Sequence, residues 1–330
     1  MELKPGVTVY CLAFNHADYI GQTLQGFLDQ ETDFPFHVIV HDDCSTDNTR
    51  AVIERYVAKR PEMFTTIFQE ENQFSKMGIG IIRNFIYPQI ETEYTCTCEG
   101  DDYWSDPHKL QLQYDYMQAH PECSMCVHNT ACIAFDGTDL NRLISTETTD
   151  RDYTADDVIS SCGHGLFHTS SHLYRTQLHW EMPDYYRVPG VGDYPQSIYL
   201  ATRGYIHYIA RTMSAYRMSV PGSWSDRVQN HADRLLNHLR ELIIMLESID
   251  LHTGGAYHTA AQFAIDSSRY PILIRENRML AVFASPVCRD RFREETTAQQ
   301  CKLILRWLAK PLMGLYRRLL DFIYLRKSHE

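Results

Sequence analysis

Residues 94–104 read YTCTCEGDDYW, in which five strand-forming residues (Tyr94, Thr95, Cys96, Thr97, Cys98) are followed at once by Glu99, Gly100, Asp101 and Asp102. A strand that ends this way delivers carboxylates to its own C-terminal end. Three acids within four residues repel one another unless positive charge sits among them. A divalent cation supplies that charge, because hard cations take carboxylate oxygens and keep phosphate as a further ligand. A solvated surface turn also accommodates Gly-Asp-Asp, so the other chemistry-bearing residues have to decide. Asp42 and Asp43 end a second strand-like run, Arg83 and Asn84 follow a third, and Asp193 stands after Gly190-Val191-Gly192, ahead of an apolar face of Ile198, Tyr199 and Leu200. There a carboxylate serves as a helix cap or as a reacting group. Cys123, Cys126 and His128 have Cys-x-x-Cys spacing, but no second pair follows, which favours a buried strand with incidental thiols over zinc.

The elements that must position these groups alternate between strand and helix. Val7 to Phe14 is a nearly continuous apolar run rich in β-branched and aromatic residues, the mark of a strand covered on both faces. A helix from about Asp18 carries Ile20, Leu24, Phe27 and Leu28 on one face, and His37 to His41 returns as a strand, which makes a β-α-β unit with a parallel sheet. The second strand runs into HDDCSTDNT, whose Ser45, Thr46 and Asp47 suit a helix cap. Asp42 and Asp43 come too early for that, and lie at the carboxyl end of the strand, where open α/β sheets bind ligands. Thr65 to Gln69 and Tyr94 to Cys98 are the third and fourth strands. Acids at two strand ends and cations beyond another suit a polar ligand with phosphates.

Beyond Trp104, Asp106 and Pro107 read as N-cap and first residue of a helix with Leu110, Tyr114 and Met117 on one face. Ser124 to Phe135 and Leu166 to Tyr174 are expected as strands, Asp136 to Asp152 as a mobile polar loop over the site, and Tyr205 to Tyr216 as the last strand. His231 to Ile249 has the apolar stripe of an amphipathic helix, with more helix through residue 285.

The 330 residues, 44% apolar and 22% charged, are ordinary for a soluble globular protein. A net charge of −11 argues against a nucleic-acid partner, since a phosphate backbone needs a basic counter-surface. The charge is uneven: residues 301–330 hold seven Lys or Arg against two acids, a net +5. The start has no apolar stretch after a basic one, and no run of about 18 apolar residues suggests a membrane span, so a cytoplasmic location is expected. Several of the ten cysteines lie inside apolar strand-like runs, which favours reduced thiols.

Together VTVYCLAFNHADYIGQTLQGFLDQ, VIVHDDCSTDNT, Arg83-Asn84, CEGDDYW and Gly192-Asp193 with Arg203-Gly204 after it resemble the family 2 glycosyltransferases over about residues 5 to 218. The resemblance implies a GT-A fold, an α/β domain with a Rossmann-like mixed sheet flanked by helices over residues 1–220. A helical extension over 221–330 would follow. It implies an inverting enzyme that takes a nucleotide-sugar donor. By that resemblance the backbone of Phe14 and Asn15 holds the nucleotide, Asp42 or Asp43 bonds the base, usually uracil, and Arg83 stands beside base and phosphates. Glu99 lies near the ribose, Asp101 holds Mn²⁺ or Mg²⁺ with Asp102 close behind, and Asp193 is the general base.

Two departures bear on that pattern. Glu99 stands where the family has its first Asp. Met218 and Ser219 follow the Tyr216-Arg217 pair where the family often has a His, which leaves a third metal ligand unassigned and Arg217 to support the diphosphate. The acceptor is expected to be a glycan or a lipid-linked glycan in surface-polysaccharide assembly. The basic amphipathic segment within 301–330 would then touch a membrane surface or pack on the protein. Rival functions are a nucleotidyltransferase, whose Gly-rich phosphate loop is missing from Ala13 to Tyr19, and a nucleotide- or carbohydrate-binding module without catalysis.

Overall fold

The structure is a computed structural model that describes residues 3–163, 165–190, 192–220, 223 and 231–309. The chain divides into two units, Met1–Ala232 and Asp233–Glu330. In the first unit the strands in chain order are β1 (Lys4–Ala13), β2 (Phe36–Asp42), β3 (Phe64–Phe68), β4 (Thr92–Thr97), β5 (Tyr103–Trp104), β6 (Cys123–Ala134), β7 (Asp139–Leu143), β8 (Arg151–Tyr153), β9 (Leu173–Arg175) and β10 (Tyr205–Met218). They form one mixed sheet in the order β3-β2-β1-β4-β9-β6-β10-β5, with β7 beside β6 and β8 beside β10. The β3-β2-β1-β4 half is parallel. β9 then runs antiparallel to both β4 and β6 and joins the two halves.

Alternation along β1 explains its unbroken apolar run, because successive side chains of a strand point to opposite faces. Val7, Val9, Cys11 and Ala13 belong to the large core cluster with Ile20, Leu24 and Phe27 of helix α1 (Ile20–Leu28) and Ile53 of helix α2 (Thr49–Val57). Tyr10 points the other way, into a cluster with Ile39, Ile86 and Ile90. The site-bearing edge follows from register. Ala13 pairs with Asp42, so the ends of β1 and β2 are level. Beyond β4 the chain keeps running beside β1, with Cys98 N–H donating to Tyr10 O (3.2 Å) and Gly100 N–H to Leu12 O (2.9 Å). Gly100 fits only without a side chain: a Cβ there would stand 2.8 Å from His16 Nδ1 and 3.1 Å from Leu12 O.

Further helices of this unit are α3 (Phe74–Met77), α4 (Lys109–Ala119), α5 (Ala155–Ser160), α6 (Thr176–Trp180) and α7 (Asp193–Arg203). Three local expectations are corrected. The stretch 136–152 is not a loop throughout, since it contains β7 and the start of β8. β7 is exposed along its whole length, so its pairing is made by backbone and leaves no hydrophobic signature. Of the strand expected over 166–174, only Leu173 and Tyr174 are extended in β9, and Thr169–Ser171 is a 3₁₀ turn. Local hydrogen bonds such as Ser171 Oγ to His168 O (2.7 Å) compete with the ladder there. Finally, α4 begins at Lys109 instead of Pro107. Asp106 accepts the His108 N–H (2.9 Å) and pairs with Arg211 (2.5 Å).

The second unit is helical, with α8 (Ala232–His252), α9 (His258–Glu276), α10 (Met279–Ala284) and α11 (Pro286–Glu294). Tyr270, Leu273, Met279, Val282, Cys288 and Phe292 form its core. Residues 297–309 continue as helix, with Leu303, Ile304 and Trp307 packed against that core and Leu305 and Leu308 exposed. The rest of the basic tail, 310–330, lies outside the described residues. Among the described residues no helix is long and apolar enough to cross a membrane.

Candidate active site

The C-terminal edge of the parallel half gathers most of the residues singled out from sequence. Phe14 is 42% exposed just beyond β1, and Asn15 takes a left-handed conformation with φ 56. Asn15 is fastened to the β2–α2 connection: its N–H donates to Ser45 Oγ (2.8 Å), and its Oδ1 accepts from the Thr46 N–H (2.8 Å). Ser45 Oγ in turn donates to Asp42 Oδ1. Asp42 and Asp43 are both buried but differ in what they bind. The Asp43 carboxylate accepts the N–H groups of Gln73 (2.8 Å) and Phe74 (2.9 Å), which commits both its oxygens to the start of α3. Burial raises the Asp42 carboxyl above its ordinary value, opposed by the hydroxyl and backbone N–H of Ser45 and by the neighbouring His41. Arg83 lies in a single π-helical turn, Ile82–Ile86, where it is exposed and reaches Asp184 at 3.3 Å.

Glu99, Asp101 and Asp102 each offer a carboxylate oxygen within 4.8 Å of the others. Glu99 is on the exposed side, and Asp101 and Asp102 are buried. Loss of solvation at the carboxyl group, followed by the charges of Asp101 and Asp193, pushes Glu99 up to about 8. Burial with the Asp101 and Glu99 charges raises Asp102 as well. Like charges at this spacing cannot all ionise without a compensating cation.

The loop is held from behind. Thr23 Oγ1 of α1 donates to Asp102 O (2.6 Å) and Gly100 O (3.1 Å). The Arg217 N–H donates to Asp102 Oδ1 (2.8 Å), and its Nε donates to Asp101 O (3.0 Å). Arg217 is expected beside the diphosphate. Instead it is 5% exposed and also directs its guanidinium to Phe135 O and Gln22 Oε1, with Tyr19 beneath it at 4.8 Å. Asp102 Oδ2, fully buried, has no hydrogen-bond partner. An orphaned carboxylate oxygen inside an acidic cluster fits a bound cation, since an unpaired buried charge is otherwise costly.

Asp193 is the first residue of α7, one position further in than a cap, and its side chain is exposed. It lines a small pocket of about 30 Å³ with Ser161, Gly163, Phe167, Tyr194 and Ser197 among others. Its charge is the smallest of the three influences that raise the Glu99 carboxyl, after burial and Asp101. α7 is anchored by Gln196, whose Nε2 meets His179 Nδ1 at 2.7 Å, and by Tyr194 Oη donating to Ile159 O (2.7 Å).

Two imidazoles were not foreseen. His16 Nε2 is 3.9 Å from Asp101 Oδ2, and His168 Nε2 is 3.6 Å from Asp102 Oδ2. His16 could have been found from its place at the end of β1. His168 had no sequence signal, because the 3₁₀ turn and the packing of β9 against β6 bring it there. Cys123, Cys126 and His128 are buried in β6, and every cysteine is a free thiol.

Similarity to known proteins follows the same residues. The description of glycosyl transferase family 2 matches residues 8–182. Uncharacterized protein Rv1520 of Mycobacterium tuberculosis is 34% identical over 224 residues, 66% of this chain and 60% of that protein. The putative teichuronic acid biosynthesis glycosyltransferase TuaG of Bacillus subtilis is 32% identical over 141 residues, 43% of this chain and 53% of its own. The chain thus spans less than two thirds of the length of either relative. Among solved structures, the mannosyltransferase PcManGT from Pyrobaculum calidifontis, in complex with GDP-Man and Mn²⁺, has a TM-score of 0.50 at 18% identity. That likeness of fold covers 93% of this chain and 89% of that one. The match to the family runs from β1 through the acid loop to α6, more than half of the chain, and the mixed sheet flanked by helices is the GT-A fold, so the chain belongs to glycosyl transferase family 2.

Proposed function

We propose that this chain transfers a sugar with inversion from a nucleoside-diphosphate sugar, a UDP-sugar in our reading, to an acceptor hydroxyl. The observation that carries the proposal is the acid cluster at the end of β4, with a buried unpartnered oxygen on Asp102 and Asp193 close enough to raise Glu99. Phe14 and Asn15 offer backbone to the nucleotide at the edge of the sheet. Asp42 is the acid we assign to the base, since Asp43 is committed to the start of α3. Arg83, exposed and paired with Asp184, is the cation we assign to base and phosphates, and Glu99 is the acid we assign to the ribose. Arg217 acts from behind, by holding the acid loop.

Asp101 and Asp102 would hold Mn²⁺ or Mg²⁺, whose charge neutralises the diphosphate as it leaves. In the reaction the acceptor oxygen bonds to the anomeric carbon from the face opposite the leaving group. The bond from that carbon to the diphosphate oxygen breaks and takes its electron pair with it. The acceptor's proton passes to the Asp193 carboxylate. A single displacement inverts the anomeric centre.

The relative named for teichuronic acid biosynthesis supports a role in surface-polysaccharide assembly, with a glycan or lipid-linked glycan as acceptor. A lipid-linked acceptor gives the basic segment 301–330 a reason to touch the inner face of a membrane from the cytoplasm. Flotation with anionic liposomes should weaken when residues 301–330 are removed, and equal flotation would count against membrane contact.

The main test is a thermal-shift panel of UDP- and GDP-sugars with and without Mn²⁺. UDP-sugars should stabilise the wild type only with metal, and Asp101→Ala should not respond. An equal response of Asp101→Ala would remove the metal-diphosphate reading.

A further inference from the structure

The two glycines ahead of Asp193 do not fix its place. Gly192, the N-cap of α7, makes no side-chain bond to the helix, and a Cβ at Gly190 or Gly192 would meet no described atom within 4 Å. The anchor toward the acid strand lies one turn further on. Gln196 is buried, and its Nε2 meets His179 Nδ1 at 2.7 Å. His179 belongs to α6, a helix of five residues that leaves β9 where β9 lies beside β4, with Arg175 opposite Tyr94. At the first residue of α6, the Thr176 hydroxyl is 2.8 Å from that of Thr95 in β4, four residues ahead of Glu99. At its last residue, Trp180 packs against the cluster of Tyr10, Ile39, Ile86 and Ile90.

A short helix thus joins the strand that delivers the acids to the helix that carries Asp193. Thr95, Thr176, His179 and Gln196 are all buried. In such a setting a hydrogen bond is stronger than in water, and cutting it leaves polar groups unpaired. The rings of Tyr87 and Tyr174, 4.9 and 5.0 Å from that of His179, hold the imidazole from two sides. A general base works only within hydrogen-bond reach of the proton it takes, and a misplacement of about 1 Å can cost about 10²-fold in rate. What sets the spacing between base and acid loop therefore bears on turnover and not on stability alone.

Resting on Asp193 as the base proposed above, we infer that α6 is a brace that sets the spacing between that base and the acid loop. Its two joints are the Thr95–Thr176 and His179–Gln196 pairs, which makes Gln196 and His179 positioning residues for the transfer reaction.

The test is a double-mutant cycle on the full chain with Mn²⁺, in which release of UDP from a UDP-sugar gives kcat and KM separately. Gln196→Leu should lower kcat about 10- to 100-fold, with the KM for the donor and the Mn²⁺-dependent thermal shift close to wild type. In an Asp193→Asn background the same change should cost nothing further, because the base it positions is already gone. Thr95→Val with Thr176→Val replaces both hydroxyls of the other joint by groups of the same shape, so it covers poor folding of the leucine variant. It should lower kcat in the same way. An unchanged kcat in both variants would overturn the brace. So would an equal loss with and without Asp193, or a lost donor response, since either would make these residues general supports of the fold. Near-wild-type turnover by Asp193→Asn would remove the base itself, and the brace with it.

Discussion

The acid loop and the start of α7, the two sides of the reaction we propose, are built in opposite ways. From Gly100 to Asp102, backbone and side chains are tied to Thr23, Leu12 and Arg217, and the two aspartates are buried. Asp193 is exposed on a helix whose anchors, Tyr194 and Gln196, lie further along. Fixed charge at the leaving group is useful only if it needs no rearrangement during reaction. In the proposed reaction the base would meet a hydroxyl that arrives from solvent, and an open setting suits that role. The rigid side carries an electrostatic cost in the folded state, visible in the raised Glu99 and Asp102 carboxyls.

The contrast can be broken at each side. The largest effect is expected at Asp193. Asp193→Asn should lower transfer by about 10²–10⁴-fold while leaving Mn²⁺-dependent donor binding intact, as read by turnover beside thermal shift. Near-wild-type turnover would take the base from this position.

On the rigid side, Arg217→Met removes the guanidinium bonds to Asp101 O, Phe135 O and Gln22 Oε1. It should cost about 3 kcal/mol of stability in urea denaturation and weaken Mn²⁺ binding. A loss below roughly 1 kcal/mol would mean that the loop holds itself without the clamp.

The anchor of α7 can be probed by pH. Burial pushes His179 down to about 3, whereas in an unfolded chain it protonates near its ordinary value. The unfolded state therefore gains the proton first, and stability is lost as pH falls below about 6.5 toward the folded value, by about 1.4 kcal/mol per unit for the group. His168 and His172 titrate in the same sense, and Glu99 and Asp102 in the opposite one. The effect is therefore read as a difference between proteins. From pH 6 to 4 the stability gap between wild type and His179→Gln should shrink at about that slope. A constant gap would show that His179 is not held neutral.

The smallest effect is a gain. Asp102→Asn keeps an acceptor for the Arg217 N–H and removes one repelling charge, so the metal-free protein should be more stable by about 1 kcal/mol while Mn²⁺ affinity falls. Destabilisation without metal would mean that the cluster is not strained by its own charge.

Much of this was legible in the chain itself. β1, β2 and β4 announce themselves as apolar runs because both faces of the parallel half are covered. Where those runs stop, Asn15, Asp42 and Glu99 to Asp102 fall at the sheet edge by register alone. Asp193 was placed correctly near the start of a helix, though whether it reached the acids could not be read.

What sequence left open was decided by contacts between distant segments. β7 and β8 form through backbone pairing, which polar side chains do not reveal. Arg217 looks from its sequence like a phosphate ligand, yet the end of β10 lies behind the acid loop and turns its guanidinium toward carbonyls. Asp42 and Asp43 are adjacent and chemically identical, and only the approach of α3 separates them. His168 is 66 residues from Asp102, in a turn with no periodicity, and stands beside it because β9 joins the two halves of the sheet. Residue types and spacing thus determined which edge of the sheet would carry charge. Tertiary packing decided which of those charges are held, which are spent on the backbone, and which oxygen is left without a partner.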